Sequence, residues 1–293
     1  MTADSQQLQN KFLLHPQHLP PSFFIIGERK CGTSSLYRYL IQHPNVLPGA
    51  LKEPNFFGKG KRYVDQHIEE YWPLFPLKNS TADCTFIWPE LNQQGILYEE
   101  KVTIPRIANR SYITGEASAN TFYEVPPTLV QQYLPNIKLI VLLRHPIDRA
   151  FSHYRMYQRF QAEGRDLGFT VRDFETEVQE EMAIIQQGGS GEYLSPSRYI
   201  YALKNWVDTF GREAIRVYFT EDLKHTQKAK EVVNDIQQFL GLPFYEYGDY
   251  LSQQFNQAPK ASMDSSLYQK LAVFFKPYNA ALFDFLELPM RWQ

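Results

Sequence analysis

Residues 23–36, Phe-Phe-Ile-Ile-Gly-Glu-Arg-Lys-Cys-Gly-Thr-Ser-Ser-Leu, restrict the fold more than any other stretch of the chain. Four apolar residues, Phe23 to Ile26, read as a short buried strand that Gly27 ends. Gly32, Thr33, Ser34 and Ser35 then open a helix that runs through Leu36, Tyr37, Leu40 and Ile41. A strand, a glycine-bounded loop and a helix N-terminus make a cradle for phosphate, because the unpaired N–H groups of the first turn point at the anion. Gly27 and Gly32 have the spacing of the nucleotide-triphosphate loop Gly-x-x-x-x-Gly-Lys-Ser/Thr. Here Thr33 follows the second glycine, and the lysine lies inside the loop at Lys30. The usual lysine reaches the β/γ-phosphates and the next hydroxyl ligates Mg²⁺. A lysine inside the loop instead suits a bridging oxygen between a 5′-phosphate and a leaving group. The alternative is a plain strand-to-helix turn with a solvated lysine.

The rest of the chain sets broad limits. With 293 residues, 43% hydrophobic and 21% charged, it has the composition of a globular α/β protein with ample core. Its 30 basic and 32 acidic residues leave a formal charge of −2, so no global basic field recruits nucleic acid. No run approaches the ~20 apolar residues of a membrane span. Residues 1–20 are polar, with no basic or apolar leader pattern, and read as a flexible tail before a single domain at 21–293. Two cysteines, Cys31 and Cys84, are too few for a disulfide framework, and the expected setting is the reducing cytoplasm. Cys31 is either a thiol made acidic by the helix N-terminus or a small residue that leaves room for the phosphate.

Strand and helix alternate along the chain. A helix is expected over Val64–Phe75, a strand over Tyr112–Glu116 and a helix over Pro126–Leu134. Residues 76–111 carry no readable period. Lys138–Leu143 is the best strand, and its continuous apolar run marks a central parallel position. Helices follow from Ile147 past Tyr157, over Thr170–Gln187, Arg198–Phe210 and Lys228–Leu240, with a strand at Ile215–Phe219. Ser262–Leu286 reads as a helix interrupted near Pro277. The pattern implies an α/β fold: a doubly wound, P-loop-like central parallel sheet flanked by helices.

A second motif runs from Leu143 to Tyr154, Leu-Arg-His-Pro-Ile-Asp-Arg-Ala-Phe-Ser-His-Tyr. Arg144 ends the central strand, where open α/β sheets bind ligands. Ser152 lies in the following helix. The two can clamp one phosphate, the arginine by its fork and the serine by a short hydrogen bond; the alternative pairs Arg144 with Asp148. Together the loop and the clamp resemble the 5′-phosphosulfate loop and 3′-phosphate motif of sulfotransferases that use 3′-phosphoadenosine 5′-phosphosulfate (PAPS). The resemblance covers Phe23 to about Leu286. It implies a PAPS donor, a PAP product and no metal, with contacts from Arg29, Lys30, Cys31, Gly32, Thr33, Ser34, Ser35, Arg144 and Ser152.

Leu51-Lys52-Glu53-Pro54-Asn55-Phe56-Phe57 is similar to the Lys-Glu-x-x-Phe-Phe segment of heparan-type and related carbohydrate sulfotransferases. The resemblance implies that Glu53 deprotonates the acceptor, that Lys52 steadies the sulfuryl oxygens and that Phe57 borders the acceptor. Residues 115–123 resemble that family's acceptor segment, which makes Glu116 and Ser118 candidate contacts. Ala117 and Ala119 depart from it, where a lysine and a proline stand in the family. Tyr199, Leu203, Trp206 and Phe210 fall on one helical face and read as core. Lys260 occupies the place of a late loop that closes over the cofactor. None of the seven histidines sits in a motif for a catalytic base, and no metal-ligand spacing occurs.

The expected function is transfer of the PAPS sulfuryl group to a hydroxyl or amine, with a small-molecule metabolite as the preferred acceptor. An oligosaccharide or glycolipid is the alternative, and the local basic run Gly58–Arg62 suits an anionic partner. A P-loop small-molecule kinase and a non-catalytic nucleotide-binding module are the other readings. Neither nucleic acid nor membrane insertion is expected, and the oligomeric state is open.

Overall fold

Five parallel strands form the centre of the computed structural model, which describes residues 17–91, 97–253 and 263–292. A separate two-stranded sheet accompanies them, and the strands among the described residues are β1 (Pro21–Ile25), β2 (Val46–Pro48), β3 (Cys84–Leu91), β4 (Leu97–Ile104), β5 (Ile113–Ala117), β6 (Lys138–Leu143) and β7 (Ile215–Phe219). The large sheet has the order β2-β5-β1-β6-β7, with every neighbouring pair parallel. Parallel pairing needs long crossovers, and helices supply them. They are α1 (Thr33–Leu40), α2 (Lys61–His67), α3 (Thr121–Glu124), α4 (Pro127–Tyr133), α5 (Pro146–Ala162), α6 (Phe174–Gln186), α7 (Tyr199–Phe210), α8 (Thr220–Leu223), α9 (Thr226–Leu240) and α10 (Ser265–Phe285). Leu139 to Leu143 of β6 are fully buried, as a strand covered on both faces requires.

The expected elements fall in place with three differences. The unassigned stretch holds the antiparallel pair β3–β4. Pro89, which cannot donate to a ladder, hides that strand from a sequence reading. The helix expected over Val64–Phe75 is instead α2 followed by 3₁₀ turns at Ile68–Glu70 and Trp72–Leu74. Pro73 sits in the first turn of the last of these, and Ile68, Tyr71, Trp72 and Phe75 still face the core. Helix α10 runs through Pro277 without the expected interruption. Pro277 is on the exposed side, so water can take up the carbonyl of Val273, itself 73% exposed. The opposite side is anchored by Leu271, Phe275, Leu282 and Phe283.

Most apolar side chains form one core around the sheet, including Tyr199, Leu203 and Trp206 of α7. A second cluster joins α5, α6 and α10 through Ile147, Tyr154, Phe174, Val178, Leu271 and Phe275. It fixes α5, the helix that carries Ser152, from the side away from the sheet. The first crossover takes the chain from β1 towards β2, whereas β6 lies on the other side of β1. The segments leaving β1 and β6 therefore diverge, and a crevice opens at the carboxyl ends of these two strands. Ile25 pairs with Ile140, so the loops after β1 and β6 emerge side by side.

Candidate active site

The loop between β1 and α1 is shaped by close backbone approach. A Cβ on Gly27 would lie 2.5 Å from the carbonyl oxygen of Leu142, so β6 leaves no space for a side chain there. Gly32 caps α1 with φ +86°, a left-handed conformation natural to glycine. No side chain caps the α1 N-terminus, which leaves the amides of Thr33, Ser34 and Ser35 as the anion cradle. Thr220, at the end of β7, locks the loop by bonding the carbonyls of Cys31 and Leu143. Lys30 also has a left-handed φ of +70°. Among the described residues five non-glycine positions do so, and three of them, Lys30, Glu53 and Asn55, lie in the two loops that face the crevice. Each costs on the order of 1–2 kcal/mol, and such strain gathers where geometry serves a ligand.

Across the crevice, Arg144 donates from its guanidinium to the carbonyl of Lys30 over 3.1 Å. Asp148 is not its partner, and the Arg144 Nε atom is buried without a hydrogen bond. A buried unmet donor beside an anion cradle is a ready phosphate contact. Ser152 lines the same cavity as Lys30. The residue after Arg144 is held too: His145 N–H donates to Glu221 over 2.9 Å. Burial, then the charges of Arg159, Arg144 and Lys52, lowers the Lys30 ammonium to about 8, with Glu53 opposing. Cations thus outnumber carboxylates in the field around Lys30, with Glu53 as the opposing charge.

That carboxylate sits on a stitched turn. Glu53 N–H donates to the carbonyl of Ala117 over 3.1 Å, and Asn55 N–H to the Ser118 hydroxyl over 3.2 Å. The turn 53–55 is thereby fixed on the carboxyl end of β5. Lys52 forms an ion pair with Glu53, its side chain 5% exposed against 36% for Glu53. A proton-accepting group and a cation therefore stand together at the mouth of the crevice.

Several expected contacts take other roles. Phe57 is buried against Phe24, Tyr71 and Tyr133, so it belongs to the core and not to the acceptor surface. Ser118 is buried and serves the Glu53 turn, and Glu116 is buried beside Tyr71 with neither carboxylate oxygen in a regular hydrogen bond. Burial pushes the Glu116 carboxyl up to about 8. The acceptor contacts expected at Glu116 and Ser118 are internal side chains in this fold, one on the central strand β5 and the other directly after it. Cys31 is fully buried, which raises its thiol to about 12 and makes it the small loop residue rather than an acidic thiol. The Arg29 guanidinium is held by Asn120, Tyr157, Glu124 and Glu192, and a nucleotide contact requires that network to open. Lys260 lies outside the described residues.

The structure adds residues that spacing alone did not single out. Arg149, fully buried, contacts Ser197 (2.6 Å), His153 (3.3 Å) and the carbonyl of Tyr193, with Glu28 4.0 Å away. This ties α5 to the segment under the phosphate loop. Arg155 and Arg159 line the cavity beside Lys30 and Ser152. Their signal was available as spacings of three and seven from Ser152, which share one helix face. Among the described residues no group of three His, Cys, Asp or Glu side chains could hold a metal ion.

Comparison with known proteins matches this chain over residues 21–246 to the sulfotransferase family. It is similar to carbohydrate sulfotransferase 15 of Homo sapiens, 27% identical over 316 residues that cover 89% of this chain and 52% of that protein. It is also similar to the bifunctional heparan sulfate N-deacetylase/N-sulfotransferase 4 of Mus musculus, 27% identical over 246 residues, 80% of this chain and 24% of that protein. The chain thus spans about half the length of the first of these relatives and a quarter of the second. Among solved structures, a sulfotransferase from Alicyclobacillus acidocaldarius aligns with TM-score 0.61 and 26% identity, covering 92% of this chain and 97% of that one.

Proposed function

The chain belongs to the sulfotransferase family, and on that premise we propose that it transfers the sulfuryl group of PAPS to a hydroxyl or amine of a carbohydrate acceptor. The observation that carries the donor half is the meeting of the two anion motifs, with Arg144 bonded to the Lys30 carbonyl. The uncapped α1 amides and the unmet Arg144 Nε fit a ligand with two separate phosphates. A triphosphate needs no second clamp, which favours this donor over ATP.

PAPS, when bound, supplies an activated sulfur–oxygen bond to its 5′-phosphate. Arg144 and Ser152 hold the 3′-phosphate and set the register of the donor. Glu53 takes the acceptor proton as the acceptor oxygen or nitrogen forms its bond to sulfur. The sulfur–oxygen bond to the phosphate breaks, its electron pair stays on the phosphate oxygen, and PAP leaves. Lys30 and the amides of Gly32 to Ser35 neutralise that developing charge. Lys52, beside the base in the chain and ion-paired with it, steadies the sulfuryl oxygens.

The names of both relatives support a saccharide acceptor over the small metabolite expected from the near-neutral charge balance. Sulfur-labelled PAPS offered with a pool of glycosaminoglycans and a pool of small metabolites, with products separated by size, tests this. Label on saccharide upholds the reading. Label confined to metabolites overturns the acceptor assignment, and no transfer to either pool despite PAP binding overturns the enzymatic one.

A further inference from the structure

Lys30 carries a backbone conformation that suits glycine. Cys31 N–H donates to the Glu28 carbonyl over 3.0 Å and closes a turn over residues 28–31. Lys30 is the third residue of that turn, with φ +70°, a place that favours glycine or asparagine. A strained residue of this kind persists only where its surroundings over-determine it. Arg144 supplies one restraint by bonding the Lys30 carbonyl over 3.1 Å. The other restraint comes from a carboxylate that takes no part in the chemistry.

Glu28 is 3% exposed, although it lies in a loop that receives anions. A free negative charge there would repel the donor. Its Oε1 atom instead accepts the Arg29 N–H over 2.8 Å and lies 4.0 Å from Nη1 of Arg149. Arg149 offers a fixed charge, because it is fully buried and donates to the Ser197 hydroxyl over 2.6 Å and to the carbonyl of Tyr193. Burial raises the Glu28 carboxyl to about 7 against the pull of Arg149, so holding it ionised costs stability. The Arg29 guanidinium is tied separately, to Asn120, Tyr157, Glu192 and Glu124. Two successive side chains are thus anchored, and the next one, Lys30, lines the cavity.

We propose that Glu28 is a positioning residue: braced on Arg149, its carboxylate holds the Arg29 amide and so keeps Lys30 in the left-handed turn that directs its ammonium to the oxygen bridging the donor's 5′-phosphate and sulfuryl group. This rests on the donor reading above. Glu28 itself touches neither donor nor acceptor.

The test is a double-mutant cycle on PAP affinity, measured by titration calorimetry. Lys30→Ala is expected to weaken PAP binding about tenfold, and Glu28→Ala about fivefold while Lys30 is present. In the Lys30→Ala background, Glu28→Ala should change the affinity less than about twofold, because no ammonium is left to misplace. Transfer from sulfur-labelled PAPS to the glycosaminoglycan pool should follow the same pattern in kcat, with acceptor KM unchanged. Should the alanine variant not fold, Glu28→Gln carries the same cycle. It keeps an oxygen for the Arg29 amide and removes the charge facing Arg149, with an expected loss of about threefold. Unchanged PAP affinity in the Glu28 variant overturns the inference. An equal loss with and without Lys30 also overturns it, since Glu28 would then support the fold alone. Failure of the donor reading is distinguishable, because the wild type would then bind no PAP.

Discussion

The guanidinium of Arg144 and the backbone carbonyl of Lys30 meet at 3.1 Å although 114 positions separate them in the chain. The contact exists because β1 and β6 are parallel neighbours and both loops leave from their carboxyl ends. It fixes the distance between the two anion sites before any ligand arrives, which lowers the ordering a bound donor must undergo.

Arg144→Ala removes both the clamp and this link. PAP affinity, measured by titration calorimetry, is expected to fall about 10- to 100-fold, the worth of one charged hydrogen-bonding group. Turnover at saturating donor should change much less. Unaltered PAP binding would remove Arg144 from the donor site.

Glu53→Gln keeps the turn, since the Glu53 N–H and not its carboxylate binds Ala117. The expected effect is a fall in kcat of about 10²–10⁴ with PAP binding retained. Near-normal turnover at saturating acceptor would show that another group takes the proton.

Lys30 titrates within the range of ordinary assays. Burial and neighbouring cations lower its ammonium from 10.5 to about 8. It is charged below that value and neutral above it, so anion affinity is held at lower pH and lost as pH rises. PAP binding should be level to about pH 7 and then weaken by up to about tenfold per unit above pH 8. Lys30→Arg, charged throughout, should flatten the profile. A wild-type profile that is level to pH 9.5 would be the contrary result.

Glu116 gives a stability prediction of definite sign. Its carboxyl stands at about 8 in the fold against 4.5 unfolded, so the native state binds the extra proton between these values. Stability from this group is therefore lost as pH rises through that window, by up to about 1.4 kcal/mol per unit. Glu28, raised by burial to about 7, acts in the same direction. Glu116→Gln should raise the Tm relative to wild type at pH 8.5 and have little effect at pH 5. An equal shift at both values would mean that the side chain acts through packing alone.

Local pattern was enough for much of the fold. The apolar run of β6 could only be a covered strand, and Gly27 and Gly32 could only bound a tight turn into α1. Those features depend on backbone sterics and on burial of contiguous side chains, which a few neighbouring residues decide. The β3–β4 pair was not legible, because Pro89 breaks the expected strand pattern within it. Helix α10 passes Pro277 because that face meets water, and facing is set by packing against α5 and α6.

The candidate site divides along the same line. Residue types and spacing nominated Lys30, Arg144 and Ser152, and the family resemblance nominated Glu53, without any tertiary contact. Sequence could not say that Phe57, Ser118 and Glu116 point inward, since burial on β5 and behind the 53–55 turn is a property of the assembled sheet. Nor could it bring Arg155 and Arg159 into one cavity with Lys30. The chain's local chemistry determined which groups could meet an anion; the parallel pairing of β1 with β6 decided where they meet, because strand order fixes the crevice and electrostatic interaction depends on distance through space rather than along the chain.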